Sequence, residues 1–211
     1  MFEGLDRIDW PKLKHAYGEA SDVPDLIRDL LSEEKDVRRN AIYELSGNIW
    51  HQGTVYEASS YAVPFLQELL RLPGTQDKMM IAGLLAEMAD GGPYLDLAGT
   101  DEKMELLLME GLAREGRNFD QELIDSRRYA DATRDAVGKE LQLLYSYLTR
   151  EEPEIRRAVA TALGNYPERI SETLPLLEHA LMSDSDEEAQ HAIKNSIAVL
   201  KTTTPTNDDS T

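Results

Sequence analysis

The sequence predicts an all-α fold, a right-handed α-solenoid of about five helix pairs that occupies residues 1–200 as a single domain. Apolar residues recur at three- and four-residue steps along most of the 211 residues, and alternation with a period of two is nowhere sustained. Aromatic residues make up only 7%, so the core must come mainly from Leu, Ala, Ile, Val and Met. That composition favours helices over β-sandwiches.

The first helical hairpin is predicted between residues 23 and 49. Asp22 and Pro24 are typical of a helix start. Four apolar residues then fall on one side of the first helix: Leu26, Ile27, Leu30 and Leu31. After a polar break at 32–35, a stripe at four-residue steps marks the second helix: Val37, Ala41, Leu45 and Ile49. Two helices joined by so short a break fold back on each other.

Three further hairpins follow the same pattern. The predicted pairs are 59–72 with 75–89, 137–148 with 155–163, and 170–181 with 189–200. Acidic residues open the second helices at spacings of about one, two and one repeat: Asp36, Asp77, Glu154 and Glu187. The double spacing leaves room for an irregular third unit at about 93–130, and recurring helix pairs of this length indicate stacked units. Residues 201–211 lack apolar side chains and are predicted to be a disordered tail.

Two segments resemble the HEAT-repeat family: DVRRNAIYELSGNI at residues 36–49 and EIRRAVATALGNYP at residues 154–167. Pro24 and Pro175 match the proline of the family's first helix. The chain departs from the family at the turn position often filled by Asp, and Ala189 replaces the Arg that opens the last second helix. The turn positions hold Ser32, Arg150 and Ser183. The sequence therefore does not predict the Asp-to-Arg ladder that often links HEAT units.

Two other segments, HAYGEASDVPDLI at residues 15–27 and IWHQGTVYEASSYAVPFLQELL at residues 49–70, are similar to bacterial HEAT-repeat proteins of unassigned function. The resemblance implies the fold and, for most members, protein binding. Rare HEAT-like enzymes include DNA glycosylases and bilin lyases, and some HEAT proteins of this size are immunity partners of bacterial toxins. Function by fold analogy alone stays an expectation.

Charge and composition narrow the classes of partner. Forty Asp and Glu residues against 22 Lys and Arg give a net charge of -18, which disfavours nucleic acid because phosphates need clustered cations. The chain has no cysteine, no signal-like amino terminus and no stretch of 18 apolar residues, so a cytoplasmic protein without a membrane partner is expected. Its four histidines have no metal-ligand spacing, and no cofactor, metal or catalytic residue is expected.

The most unusual stretch is WHQGTVY at residues 50–56, which is long and uncharged for a solenoid turn. A purely structural role remains open, with Gly53 allowing a positive φ and Val55 joining two hairpins. The alternative is a binding rim in which Trp50, His51, Gln52 and Tyr56 stand together. The one basic aromatic cluster surrounds Tyr129 and is small, so ion pairing along a helix is its simpler use.

The acidic surface serves either solubility alone or recognition of a basic protein. The second use favours a non-enzymatic binding protein, with toxin immunity as the most concrete version. Helical projection puts Arg39 and Tyr43 on the side of their helix away from the apolar stripe. The candidate partner-binding residues are Arg39, Tyr43, Glu44, Trp50, His51, Gln52, Tyr56, Glu87 and Asp90. The alternative is an enzyme of the HEAT-like DNA glycosylase or lyase kind, which the net charge disfavours.

Overall fold

The computed structural model of the protein describes residues 1–95, 102–150 and 152–203. Most of these residues are helical, as the three- and four-residue periodicity predicts. The α-helices are α1 (Val23–Asp29), α2 (Lys35–Asn48), α3 (Glu57–Arg71), α4 (Lys78–Ala89), α5 (Glu102–Arg114), α6 (Phe119–Gly138), α7 (Pro153–Gly164), α8 (Ile170–Ser183) and α9 (Glu187–Thr203). Four 3-10 helices join them: Leu5–Arg7, Trp10–Lys12, Leu141–Thr149 and Pro167–Arg169.

The helices stack in two rows, and the protein is an all-α solenoid. The inner row runs α2, α4, α7, α9, with α7 packed between α4 and α9. The outer row runs α1, α3, α6, the 3-10 helix Leu141–Thr149 and α8. Apolar side chains of both rows meet between them in one continuous core, which keeps the hairpins stacked because no single unit can bury its own apolar face.

The third unit differs from the others in where its helices lie. Its second helix, α6, packs on α3 and α4 in the outer row, so α4 and α7 contact each other directly. In this pair the second helix therefore lies in the outer row, unlike α2, α4 and α9. The helix predicted over 137–148 is wrong in its bounds, because Val137 belongs to α6 and the rest is the 3-10 helix Leu141–Thr149.

Five two-residue strands, which the sequence did not predict, lie before α1, between α2 and α3, and after α4 in the described residues. β1 (Lys14–His15) pairs antiparallel with β2 (Gly18–Glu19). β3 (Trp50–His51) pairs antiparallel with β4 (Thr54–Val55), which pairs in parallel with β5 (Gly92–Pro93). The turn between β3 and β4 is Gln52–Gly53, with φ of 51° and 88°, the geometry of a tight hairpin turn. Strands of two residues are too short to show alternation in a sequence.

Two buried arginines tie neighbouring repeats together. The Arg38 Nε donates to Asp77 Oδ2 at 2.6 Å, and its Nη1 donates to the carbonyls of Ser32 and Glu33. Arg156 repeats the arrangement with a bidentate contact to Asp184, 2.7 Å at both oxygens. The structure therefore contains two rungs of an Asp-to-Arg ladder that the sequence did not predict.

The structure differs from the prediction near the start of α2 and at the end of α9. Val37 is 38% exposed, because the buried face of α2 follows mixed three- and four-residue steps through Arg38, Ala41 and Leu45. At the carboxyl end, α9 continues to Thr203, so the first three residues of the predicted tail are helical, and residues 204–211 lie outside the described residues. Within the described ranges, no helix combines the length and apolar character needed to cross a membrane.

Candidate functional site

The inner row of helices forms a groove of about 790 Å³ between α2, α4 and α7. Its floor is apolar, with Ile42, Leu84 and Ile155 among the lining side chains. Its walls carry charged and aromatic groups: Arg39, Tyr43, Trp50, Glu87, Asp90, Glu154 and Arg157. Five of the sequence-predicted residues, from α2, β3 and α4, therefore share one groove.

The groove extends in both directions along the inner row. Tyr43, Ser46 and Trp50 are shared with a neighbouring hollow of about 600 Å³, which Glu44, His51 and Gln52 also line. On the other side, Arg157 and Thr161 are shared with a hollow of about 510 Å³ between α7 and α9. We call these three connected hollows the inner groove.

Small residues allow the inner helices to approach closely at the groove floor. A Cβ atom at Gly83 of α4 would lie 2.7 Å from Ile155 Cδ1 of α7. A Cβ atom at Gly164 of α7 would lie 2.9 Å from the Ser196 side chain of α9. Because each helix sits so close to the next, charged residues on successive helices line a single groove.

The inner groove is acidic. Six carboxylates line it: Glu44, Glu87, Asp90, Glu154, Glu187 and Glu188. Among the described residues that line the groove, they face two guanidinium groups, Arg39 and Arg157, of which Arg157 pairs with Glu188. The Asn165 Nδ2 donates to Asp90 Oδ1 at 2.7 Å and so fixes that carboxylate. Burial raises the pKa of Glu87, and the nearby Arg157 only partly offsets this.

Aromatic side chains stand at one end of the groove. Tyr43 is 75% exposed, and the Trp50 indole N–H is buried without a hydrogen-bond partner among the described residues. Tyr17, which sequence reasoning missed, packs edge-to-face against His51 with ring centroids 5.3 Å apart. No pattern in the sequence links these two rings, because β1–β2 and β3–β4 are brought together only by packing around α2.

Tyr56 does not join the other predicted residues, and the prediction of one shared rim is wrong for it. After the β3–β4 hairpin the chain turns into α3, where the Tyr56 backbone N–H donates to Ser59 Oγ at 2.8 Å. Its ring stacks on Tyr94, with centroids 5.4 Å apart, in a separate cavity of about 620 Å³. Tyr94 in turn stacks on Tyr129 at 6.4 Å. The residues 50–56 thus form a structural hairpin with functional candidates on two different surfaces.

His15, which lines the cavity that contains Tyr56, has both ring nitrogens in hydrogen bonds within the protein. His15 Nδ1 accepts the Tyr17 backbone N–H at 3.0 Å, so Nε2 carries the proton and donates to Asp22 at 3.0 Å. Asp22 also accepts a 2.7 Å bond from Asn48 and does not cap α1 as the sequence suggested. No set of three or more His, Asp or Glu side chains suited to a metal occurs in the described part of the chain.

Comparison with known proteins gives one family match. The family model described as HEAT repeats matches residues 122–198, from α6 into α9. No curated protein matches the sequence. Solved structures that match include a designed armadillo repeat protein, with 17% sequence identity over 84% of this chain and 81% of that chain, at a TM-score of 0.31. In residues 122–198, which contribute α7 and α9 to the inner groove, the chain is similar to HEAT repeats.

Proposed function

We propose that this protein is a non-enzymatic binding scaffold whose inner groove receives a basic surface of a partner protein. The observation that carries the proposal is the imbalance of six carboxylates to two guanidinium groups along one continuous groove. The most concrete version is immunity to a bacterial toxin, with the partner met in the cytoplasm. Inhibition would be steric, because the solenoid would cover the basic active cleft of the toxin.

The groove has the composition of a protein-recognition surface. Its apolar floor offers burial, and the exposed ring of Tyr43 and the half-buried Trp50 are suitable anchors. The net charge of -18 would attract a basic partner from a distance and accelerate encounter at low salt. A partner cation beside Glu87 would offset the burial that raises its pKa and would favour the ionised carboxylate.

An enzyme acting on DNA is the competing function that the sequence left open. Such an enzyme needs a basic channel for the phosphates, and an acidic groove repels them. A gel-shift experiment with duplex DNA at low salt distinguishes the two functions. We expect no shift, and a clear shift would reverse the ranking.

The main test compares two variants that remove the same number of charges from different surfaces. The groove variant is Glu87→Gln/Asp90→Asn/Glu154→Gln, and the control is Glu102→Gln/Glu105→Gln/Glu110→Gln on α5. Where the adjacent gene encodes a basic protein, that purified protein is the probe, with affinity measured at about 50 mM and about 500 mM salt. We expect the groove variant to weaken binding at least about 10-fold and the control less than about 3-fold.

The salt series and the control decide the outcome together. Wild-type affinity should fall as salt rises, because exposed charge pairs are screened. If both variants lose affinity equally, net charge alone governs binding and the groove is not the site. If affinity is indifferent to salt, or that protein does not bind, the proposal of an acidic recognition surface for it is wrong.

A further inference from the structure

The cavity that contains Tyr56 lies where parts of the chain that depart from the repeat meet the helices α3 and α6. It lies between the β1–β2 hairpin, the start of α3, the residue after β5, the loop before α6, and α6 itself. Stacked helical hairpins need none of these additions to bury their apolar faces. Where local structure departs from a repeating pattern, a functional site is the first explanation to examine.

One wall of the cavity is a preformed ladder of three tyrosines. The rings of Tyr56, Tyr94 and Tyr129 lie nearly parallel, with interplanar angles of 12° and 21°. The hydroxyl of Tyr56 accepts a bond from Thr54 Oγ1 at 3.0 Å, and the hydroxyl of Tyr94 donates to Glu122. Because these bonds hold the rings in place, a ligand would not have to order them.

Two of the three tyrosines are each associated with a carboxylate and an arginine. The Arg128 guanidinium lies over Tyr129, 5.3 Å from the ring centroid, and pairs with Asp125 at 2.8 Å. Arg117 binds Glu122, the partner of Tyr94, through two bonds of 2.8 and 2.6 Å. A tyrosine beside a carboxylate is a suitable environment for guanidinium, which is planar, stacks on rings and donates in pairs.

The third tyrosine has a carboxylate but no such cation. Glu57 follows Tyr56 directly and lines the same cavity, and its Oε2 accepts the Lys14 backbone N–H at 3.3 Å. Among the described residues, no Lys or Arg forms an ion pair with Glu57 or lies over the Tyr56 ring. Burial, followed by the negative charge of Glu57, raises the pKa of the Tyr129 hydroxyl, and the same charge acts on the Arg128 guanidinium, which lies over the Tyr129 ring and pairs with Asp125.

The charges of the lining also favour a cation. Four carboxylates line the cavity: Glu57, Glu115, Glu122 and Asp125. Two cations face them, Lys14 and Arg117. Arg117 is already paired with Glu115 and Glu122. The ring nitrogens of His15 are both used within the protein, Nδ1 with the Tyr17 backbone N–H and Nε2 with Asp22. An anion or phosphate would meet a surplus of negative charge here.

We propose that this cavity is a binding site for an alkylguanidinium cation, whose planar group pairs with Glu57 and contacts the Tyr56 ring. The cation can come from a free small molecule or from an arginine side chain of another protein, because both present the same group. None of the residues in this cavity lines the inner groove, so this proposal stands or fails separately from the one above.

The test is calorimetric titration of the full chain with three probes of matched shape. Butylguanidine represents the free cation, N-acetylarginine amide represents the side chain, and N-acetylcitrulline amide is the neutral isostere of the latter. We expect at least one of the two guanidinium probes to bind. If only butylguanidine binds, the source is a small molecule. If N-acetylarginine amide also binds, an arginine side chain is accommodated.

Controls within the chain separate the site from general charge effects. Glu57→Gln and Tyr56→Leu should each weaken guanidinium binding about 10-fold, whereas Glu102→Gln on α5 and Tyr61→Leu on the exposed side of α3 should leave it unchanged. Tyr56→Phe keeps the ring and should bind within about 3-fold of wild type, which guards against a folding defect in Tyr56→Leu. Three results would overturn the proposal: no guanidinium binding at about 10 mM probe, equal binding of the citrulline amide, or an unchanged affinity in Glu57→Gln.

Discussion

Helices α5 and α7 have similar amphipathic sequences but different surroundings. In α7, Val159, Ala160, Ala162 and Leu163 are fully buried between α4 and α9. In α5, no described side chain is buried, and Leu107 is 53% exposed. A three- and four-residue period therefore identifies both helices, but burial depends on whether neighbouring helices lie on both sides.

The composition of the two helices explains part of this difference. Small residues in α7 let α4 and α9 approach, and Gly164 lies directly against Ser196. Arg156 also ties α7 to the turn before α9 through Asp184. On α5, the Arg114 side chain pairs only one turn back, with Glu110 at 3.3 Å. An ion pair within one exposed helix does not join it to the rest of the solenoid.

The largest expected effect comes from removing the buried cation of α7. Arg156→Ala leaves the Asp184 carboxylate, 2% exposed, without its guanidinium partner, and should cost about 3–5 kcal/mol of unfolding free energy. The matched change on α5, Arg114→Ala, should cost less than about 0.5 kcal/mol. Urea unfolding followed by circular dichroism measures both. Equal losses of unfolding free energy in the two variants would mean that the contact between Arg156 and Asp184 adds no more stability than the exposed ion pair on α5.

Leucine truncation tests the burial difference directly. Leu163→Ala opens a cavity in the core between the helix rows and should destabilise the protein by about 2–4 kcal/mol. Leu107→Ala removes an exposed side chain and should change stability by less than about 0.5 kcal/mol. The same urea experiment compares them. A large loss in Leu107→Ala would show that this face of α5 is covered in solution.

Replacing glycine by alanine should lower the stability of the protein at the end of α6 and raise it in α5. A Cβ at Gly138, at the end of α6, would lie 2.6 Å from the buried Tyr166 ring, so Gly138→Ala should cost about 1–3 kcal/mol. A Cβ at Gly111 of α5 meets no atom within 4 Å, so Gly111→Ala should stabilise the protein by about 0.5–1 kcal/mol. The unfolding temperature of each variant relative to wild type measures both effects. A lower unfolding temperature for Gly111→Ala would mean that another part of the protein packs against α5 at this position.

Local patterns in the sequence predict what is local in the structure. The second helices at 36–49 and 154–163 follow from their Leu and Ala spacing, and helical projection brings Arg39 and Tyr43 to the side that faces the groove. The Asp-to-Arg ladder was missed because its acids, Asp77 and Asp184, do not occupy the turn position that the family pattern leads one to expect. Asp184 comes one residue after that position, which is held by Ser183. The tyrosine ladder was missed because its members come from three separate elements that only tertiary packing brings together.

The smallest expected effect is the pH dependence contributed by Glu87 in the inner groove. Burial raises the pKa of this carboxyl above its ordinary 4.5, so the folded state binds its proton more tightly than the unfolded state does. The resulting stabilisation is complete below pH 4.5 and is lost as pH rises through the raised pKa. Glu87→Gln removes the titrating group, so the stability of wild type relative to this variant should decline as pH rises above 4.5. Urea midpoints across that range measure the difference, with Glu102→Gln on α5 as the control for net charge. A relative stability that increases with pH would mean that the attraction of Arg157 outweighs burial in the folded groove.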